Sequence, residues 1–183
     1  MRVIAGTARS VPLLSRDGLD TRPTADRVKQ AMFNIIQFEI EGRQVLDLFG
    51  GSGQLAIEAL SRGAAGAVIV DESKEAVSII RRNLTKTKLS ERAEVVCSDY
   101  MEYLNHTKKR FDLVFLDPPY REKTLENALN RISEIDILKS GAIIVCEKSV
   151  EKVLPDSFAA FRKTGEYRYG ATGVTIYRVG ALT

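Results

Sequence analysis

The stretch QVLDLFGGSGQLAIEALSR, residues 44–62, decides the fold of this 183-residue chain. It predicts a buried strand, a glycine-rich turn and an amphipathic helix. Glycines in such a turn permit positive φ angles and let a ligand approach the backbone closely. The letters from Gly51 to Ala56 fit the dinucleotide-binding pattern G-x-G-x-x-A. Because a tight strand-to-helix turn without a ligand can have the same letters, the pattern alone leaves the function open.

Strands and helices alternate from residue 44 onward. Continuous apolar runs such as GAVIVD and FDLVFLD are typical of strands buried on both faces, and amphipathic segments separate them. This alternation predicts an α/β fold with a mostly parallel sheet covered by helices. Near the C-terminus, residues 157–170 and 173–180 are strand-like and have no helix between them. They predict an antiparallel hairpin at the edge of the sheet.

The N-terminal residues predict a smaller structure in front of this alternation. Two strand-like pieces, RVIAG and VPLL, precede a helix in TRPTADRVKQAMFNII. Thr24 is a good candidate for the N-cap of that helix. The apolar spacing of the helix predicts one buried face and places Arg27 and Lys29 on the exposed side.

Aspartates end four successive strands of the predicted sheet: Asp47, Asp71, Asp99 and Asp117. Ligands of open α/β sheets bind at the carboxyl ends of the strands. Asp71 follows the glycine turn by about 20 residues, where an acid binds a ribose. Asp47 lies within the turn motif, where a carboxylate would repel a pyrophosphate and suits the cationic amino group of S-adenosylmethionine. Asp99 suits the adenine amino group, although an aspartate before a short helix is also a common N-cap.

The last of these acids opens the sequence DPPY, residues 117–120. Two prolines stiffen the chain and fix the Pro118 carbonyl. Asp117 and this carbonyl can each accept one N–H of an exocyclic amine, which directs the nitrogen lone pair toward a methyl donor. Tyr120 can stack on a base that has left its helix. The sequence DPPY therefore indicates amine methylation, with a rigid turn that carries an exposed aspartate as the alternative.

Composition narrows the class of protein further. The net charge of +3 permits an anionic partner without requiring one. No apolar run reaches the ~20 residues of a membrane span, so we expect a cytoplasmic protein that binds no membrane. Cys97 and Cys146 each end an apolar run and are predicted to be buried and reduced. With a single histidine in the chain, we expect no metal site.

Five segments, in order along nearly the whole chain, resemble the RsmD family of bacterial 16S rRNA (guanine-N2)-methyltransferases: RVIAG, TRPTADRVKQAMFNII, VLDLFGGSGQLAIEALSRGA, FLDPPY and YGATGVTIY. The resemblance implies a Rossmann-like class I methyltransferase with a seven-stranded sheet. Within one domain, residues 41–183 would form the core that binds S-adenosylmethionine and releases S-adenosylhomocysteine. Residues 1–40 would form a small N-terminal extension with a substrate-facing β-hairpin and a helix. The substrate would be a guanine of 16S rRNA, within the 30S subunit or a late assembly intermediate. We expect the protein to act as a monomer.

The resemblance also implies roles for individual residues. Catalysis would involve Asp117, Pro118 and Tyr120. The cofactor would be bound by Asp47, Phe49, Gly51, Gly53, Asp71, Asp99 and Tyr100. The substrate would be bound by Arg9, Arg22, Thr24, Pro119 and Arg121.

The chain departs from the family pattern at two places. Ser10, Val11 and Pro12 stand where the family has a glycine and basic residues, which leaves fewer charges for RNA phosphates in this segment. Gly50 stands where alanine is common, a change for which we expect little consequence.

Other functions remain open at this point. Methylation of DNA adenine would predict a target-recognition domain, for which 183 residues leave no room. Enzymes that methylate glutamine usually carry asparagine where this chain has Asp117. An RNA-binding protein with a relic cofactor pocket would be free to lose the glycines or Asp117, and an NAD oxidoreductase has no use for DPPY.

Overall fold

A computed structural model describes residues 1–15, 23–119 and 123–180 of the chain. The main helices and strands follow in chain order: α1 (Pro23–Ile35), β1 (Gln44–Asp47), α2 (Gln54–Ser61), β2 (Gly66–Asp71), α3 (Lys74–Thr87), β3 (Ala93–Cys97), α4 (Tyr100–His106), β4 (Phe111–Leu116), α5 (Thr124–Glu134), β5 (Leu138–Ser149), β6 (Arg162–Tyr169) and β7 (Thr172–Arg178).

The seven strands form one sheet in the order β3-β2-β1-β4-β5-β7-β6. Strands β1 to β5 are parallel, whereas β7 is antiparallel to both β5 and β6. The predicted α/β class, with its mostly parallel sheet and antiparallel C-terminal hairpin, is confirmed. Since β1 and β4 are neighbours, the glycine turn and the DPP sequence leave the sheet side by side at its carboxyl edge.

Helices cover both faces of the sheet, as continuous apolar strands require. On one face, α1, α2, α3 and the N-terminal residues pack on alternate strand residues that include Val45, Phe115 and Val145. On the other face, α4 and α5 pack on the intervening residues, which include Leu46, Leu116 and Cys146. We call the first of these the extension face, because the N-terminal extension lies over it.

Buried polar side chains attach the N-terminal extension to α2. Glu58 is fully buried and accepts hydrogen bonds from the backbone N–H groups of Ile4 at 2.7 Å and Ala5 at 3.0 Å. Ser61 accepts one from the Ala8 N–H at 2.9 Å and donates one to the Ala5 carbonyl at 2.6 Å. These bonds satisfy groups that would otherwise be costly to bury. They fix the extension on the core.

A third buried polar residue, Asn83 of α3, joins the extension to the glycine turn. Its Oδ1 accepts the Leu14 N–H at 2.8 Å, and its Nδ2 donates to the carbonyl oxygens of Leu14 at 3.0 Å and Ser52 at 2.9 Å. One amide therefore holds both the end of the extension and the turn that follows β1.

The two strand-like pieces form the expected hairpin, since Arg2 and Pro12 make an antiparallel bridge and the Val3 N–H donates to the Val11 carbonyl at 3.0 Å. Two other details of the N-terminal region differ from the predictions. Helix α1 begins at Pro23, a residue well suited to a first helical position, so Thr24 lies in the first turn and is not the N-cap. Lys29 is buried, because the extension covers this side of α1, and its Nζ donates to the Arg2 carbonyl at 2.8 Å. Burial lowers the pKa of Lys29, although Glu58, 3.9 Å away, opposes the shift.

The prediction for the two cysteines is half correct. Cys146 is buried in the centre of the sheet, and both thiols are free. Cys97 is exposed, because it ends β3, which is the edge strand. Within residues 1–15, 23–119 and 123–180, no group of three metal-ligating side chains comes together. No helix in the same ranges is long and apolar enough to cross a membrane.

Candidate active site at the carboxyl edge of the sheet

The DPP sequence directly follows the central strand β4. Asp117 is half-buried, Pro118 is buried and Pro119 is exposed. No described residue donates a hydrogen bond to the Asp117 carboxylate or to the Pro118 carbonyl. The two acceptors that the sequence analysis assigned to an amine are therefore left without protein donors in the described chain. Tyr120 and Arg121 lie outside the described residues.

The glycine turn after β1 is closed by short backbone hydrogen bonds. Gly51 and Gly53 have φ angles of 57° and 78°, in the left-handed region that favours glycine. The Gly53 N–H donates to the Gly50 carbonyl at 2.6 Å, and the Gly50 N–H donates to the Val70 carbonyl at 2.8 Å. The turn thus rests on β2 and presents its backbone beside Asp71.

Gly50 is more constrained than the sequence suggested. A Cβ atom at this position would lie 2.6 Å from Ile69 Cγ2 and 2.9 Å from Ile80 Cδ1. An alanine at this position would require the side chains of Ile69 and Ile80 to shift, and the small consequence expected of glycine here stays a prediction.

Asp71, at the end of β2, is held by the backbone on both of its oxygens. Oδ2 accepts the Gly51 N–H at 2.8 Å, and Oδ1 accepts the Ser73 N–H at 2.9 Å. The carboxylate therefore connects the glycine turn to the start of α3. Each oxygen keeps a further lone pair, so the fixed carboxylate can also accept a hydroxyl hydrogen bond from a ligand.

Asp47, at the end of β1, is almost completely buried and only partly satisfied. Its Oδ2 accepts the Ala56 N–H at 3.3 Å, while Oδ1 has no hydrogen-bond partner among the described residues. Burial, together with the negative charges of Asp117 and Asp71, raises the pKa of Asp47 to about 7. A cationic ligand group at Oδ1 would relieve this cost. The buried Asp47 oxygen without a partner therefore fits the cationic amino group of S-adenosylmethionine.

Asp99 has the N-cap role that was its alternative in the sequence. Its Oδ1 accepts the N–H groups of Met101 at 2.8 Å and Glu102 at 3.1 Å. No described residue donates to Oδ2, which leaves one oxygen for a ligand amine. The cap and the predicted adenine contact are therefore compatible. Beside it, the rings of Phe49 and Tyr100 lie 5.2 Å apart between centroids, which makes an aromatic wall next to the turn.

One further acid at this edge was not singled out from the sequence. Glu147 lies in β5, and the pairing of Leu116 with Cys146 places it level with Asp117 on the neighbouring strand. Burial and the charge of Asp117 raise the pKa of Glu147, and burial raises the pKa of Asp117. The sequence held one signal for Glu147, since it ends a continuous apolar run, as the four aspartates do.

Basic residues surround a hollow of about 340 Å³ between the extension and the first half of α1. Arg2, Arg9 and Arg27 line it, together with Asp26 and Gln30. All three arginines are exposed in the described structure. Arg9 is the one predicted substrate-binding residue there, whereas Arg22 and the side chain of Thr24 lie outside what is described.

The sheet order, the glycine turn after β1, and an acid after β4 that precedes two prolines and has no donor among the described residues define a methyltransferase of Rossmann-like fold. The model of the family described as Conserved hypothetical protein 95 matches residues 1–178. The chain belongs to this family, which is the RsmD family that its motifs resemble.

Relatives of known name and structure agree with this membership. YlbH of Bacillus subtilis is 40% identical, over 97% of this chain and 98% of its own. A Haemophilus influenzae protein named ribosomal RNA small subunit methyltransferase D is 35% identical, over 98% of this chain and 92% of its own. The solved structure of yhhF from Escherichia coli has a TM-score of 0.89 and 36% identity, covering 99% of this chain and 98% of that one.

Proposed function

We propose that this protein transfers a methyl group from S-adenosylmethionine to the N2 amine of a guanine in 16S ribosomal RNA. One observation carries the proposal: the Asp117 carboxylate and the Pro118 carbonyl stand beside the glycine turn, and no described residue donates a hydrogen bond to either. Two acceptors without protein donors suit the two N–H bonds of a primary amine. The name of the Haemophilus influenzae relative supports ribosomal RNA as the carrier of that amine.

Methyl transfer to this amine depends on positioning of the nitrogen more than on a strong base. An amine on an aromatic ring is a poor nucleophile, because its lone pair is delocalised into the ring. Asp117 and the Pro118 carbonyl, by accepting both N–H bonds, favour a pyramidal nitrogen with a directed lone pair. S-adenosylmethionine, when bound, supplies an electrophilic methyl group. The nitrogen becomes cationic as its new bond to carbon forms, and it then loses one proton, for which Asp117 is a suitable acceptor because burial raises its pKa.

Residues 41–183 form the cofactor-binding core in this proposal. Asp47 Oδ1 binds the amino group, the free lone pairs of Asp71 bind the ribose, and Asp99 Oδ2 binds the adenine amine. Phe49 and Tyr100 flank the adenine. Gly51 and Gly53 line the methionine end of the cofactor. The buried Oδ1 that lacks a partner is the observation that supports this assignment most directly.

Residues 1–40 form the part that meets the RNA. The hollow lined by Arg2, Arg9 and Arg27 suits backbone phosphates, because an arginine guanidinium can donate two parallel hydrogen bonds to a phosphate. Further substrate contacts belong to this proposal as well: Arg22, Thr24, Pro119, Tyr120 and Arg121. Few residues outside the core are available to bind RNA. The preferred substrate is therefore a preformed protein–RNA surface of the 30S subunit or a late assembly intermediate. The protein acts there as a cytoplasmic monomer, without a metal.

Methyl transfer to isolated subunits tests the proposal. Small subunits from cells that lack this enzyme are incubated with the purified protein and S-adenosylmethionine labelled in the methyl group, and the labelled nucleotide is mapped. We expect label on the N2 amine of one guanine. Label on adenine, label only on a protein glutamine, or no transfer to RNA would contradict the proposal. Naked rRNA, tested in parallel, reports whether the assembled surface is required.

A further inference from the structure

We propose that Glu147 is a third acceptor of the substrate pocket, beside Asp117 and the Pro118 carbonyl. It binds the N1–H of guanine, next to the N2 amine that Asp117 holds, and so selects guanine. This inference rests on the proposed function and adds a residue that determines base specificity.

The position of Glu147 follows from the sheet. In β4, Phe115 faces the extension face, so Asp117, two residues later, points to the same side. In β5, Val145 faces that side too, so Glu147 does the same. The Leu116–Cys146 pairing sets the two acids level on adjacent parallel strands, which run about 4.8 Å apart. The charge of Asp117 acts on Glu147, as this neighbourhood requires.

The surroundings of Glu147 indicate a ligand. The residue is half-buried, and no described residue donates a hydrogen bond to its side chain or forms an ion pair with it. Its neighbour Lys148 points the other way and pairs with Glu166 at 2.8 Å. A carboxyl group that is partly removed from water and lacks a donor is costly unless a ligand supplies one.

The chemistry of the bases identifies that ligand. The N2 amine of guanine is adjacent to N1–H, a second donor on the same edge. The amines of adenine and cytosine are adjacent to a ring nitrogen that only accepts. One proton shared by Asp117 and Glu147 leaves the pair with a single negative charge, as expected for close acids. The Glu147 hydroxyl can then donate to Asp117, while its carbonyl oxygen accepts N1–H.

Two substrate analogues and two variants test the inference. Small subunits are reconstituted with guanine or 2-aminopurine at the mapped position, since 2-aminopurine keeps the amine and has an acceptor in place of N1–H. We expect the wild type to prefer guanine by about 10- to 100-fold in kcat/KM. In Glu147→Leu, the value for guanine should fall by about that factor more than the value for 2-aminopurine, so that the preference for guanine is lost. In Glu147→Gln, which keeps a carbonyl acceptor and a donor toward Asp117, the preference should persist.

The outcomes separate this inference from the proposed function. If the wild type transfers no methyl group to guanine, the proposed function fails and this inference fails with it. If the wild type does so but Glu147→Leu lowers both substrates equally, Glu147 is structural and only the inference fails. Loss of the guanine preference in Glu147→Gln would overturn it as well. Binding of S-adenosylmethionine to each variant, measured by calorimetry, shows that the core is intact.

Discussion

The acids on the two sides of the carboxyl edge differ in what holds them. On the cofactor side, Asp71 accepts two backbone N–H groups and Asp99 accepts two more. On the substrate side, neither Asp117 nor Glu147 accepts a hydrogen bond from any described residue. Both sides are built from the same feature, an acid at or near the carboxyl end of the parallel part of the sheet. Within the described chain, backbone N–H groups supply the donors on the proposed cofactor side, whereas on the proposed substrate side the donors are left to a ligand.

This difference has consequences for stability as well as for binding. An acid that accepts several N–H groups while partly buried stabilises the fold, and its removal leaves those donors unpaired. A half-buried acid without donors costs free energy in the empty protein, so its removal leaves stability unchanged or improves it. Glu58, which is buried beneath the extension and fully bonded, belongs to the first group although it lies far from the edge. Substitution of acids from each group tests whether the two groups differ in this way.

Removal of Asp117 should have the largest effect. In Asp117→Ala, kcat for methyl transfer to the small subunit should fall by about 10³-fold, because the amine loses an acceptor used in the transition state. The affinity for S-adenosylmethionine, measured by calorimetry, should change less than about threefold, and the melting temperature should not fall.

Asp112→Ala is a matched control for this variant on the same strand. Asp112 lies at the opposite end of β4 and pairs with Lys139 at 2.9 Å, so its loss should leave kcat nearly unchanged. If Asp117→Ala weakened cofactor binding as strongly as it lowers kcat, Asp117 would belong to the cofactor side and the comparison would be incorrect.

Glu58→Ala should have the largest effect on stability. The change leaves the N–H groups of Ile4 and Ala5 without their acceptor and Lys29 buried without its counter-charge. We expect the free energy of unfolding to fall by about 3 kcal/mol. Denaturant titration measures this change, and limited proteolysis should cut the N-terminal extension first. The exposed Glu91 gives the control Glu91→Ala, and similar losses in both variants would show that the buried bonds contribute little.

The part of the site that follows from local sequence could be predicted. Apolar runs set the strands, and an acid at the end of a parallel strand lies at the carboxyl edge whatever the rest of the chain does. The positions of Asp47, Asp71 and Asp117 at this edge were predicted in this way, and their roles stay predictions. The antiparallel end of the sheet was likewise visible, because no helix separates the last two strands.

The part of the structure that depends on contacts between distant segments could not be predicted from the sequence. Lys29 has the spacing of an exposed residue, and it is buried only because residues 1–15 cover that side of α1. The restriction at Gly50 comes from Ile69 and Ile80, which lie on other elements. Glu147 lies beside Asp117 only because of the register between β4 and β5, which no local pattern encodes.

Asp71→Ala tests the cofactor side directly. The variant loses the proposed ribose acceptor. It also leaves the Gly51 and Ser73 N–H groups without their acceptor, so the glycine turn is no longer linked to the start of α3. We expect the affinity for S-adenosylmethionine to fall by about 10- to 100-fold, as for loss of charge-assisted hydrogen bonds. Glu72→Ala changes the exposed neighbour and should bind normally. Unchanged affinity in Asp71→Ala would mean that Asp71 only supports the turn.

The smallest expected effect concerns pH and the partly satisfied Asp47. Its pKa is raised to about 7 in the folded protein, chiefly by burial, whereas an unfolded chain holds an aspartate near pKa ~4. Between these values the folded state binds the extra proton, so the free energy of unfolding falls as the pH rises toward 7. From pH 5.5 to 7.5 the free energy of unfolding of the ligand-free wild type should fall by about 1–2 kcal/mol more than that of Asp47→Asn, which cannot titrate at this position.

Denaturant titrations at both pH values measure the difference, and the contributions of the other acids cancel because both proteins contain them. Saturating S-adenosylmethionine should reduce it, since a cation at Oδ1 favours the charged carboxylate. Parallel pH dependence in the two proteins would show that the buried Oδ1 is satisfied in solution, and Asp47 would then belong with Asp71 and Asp99.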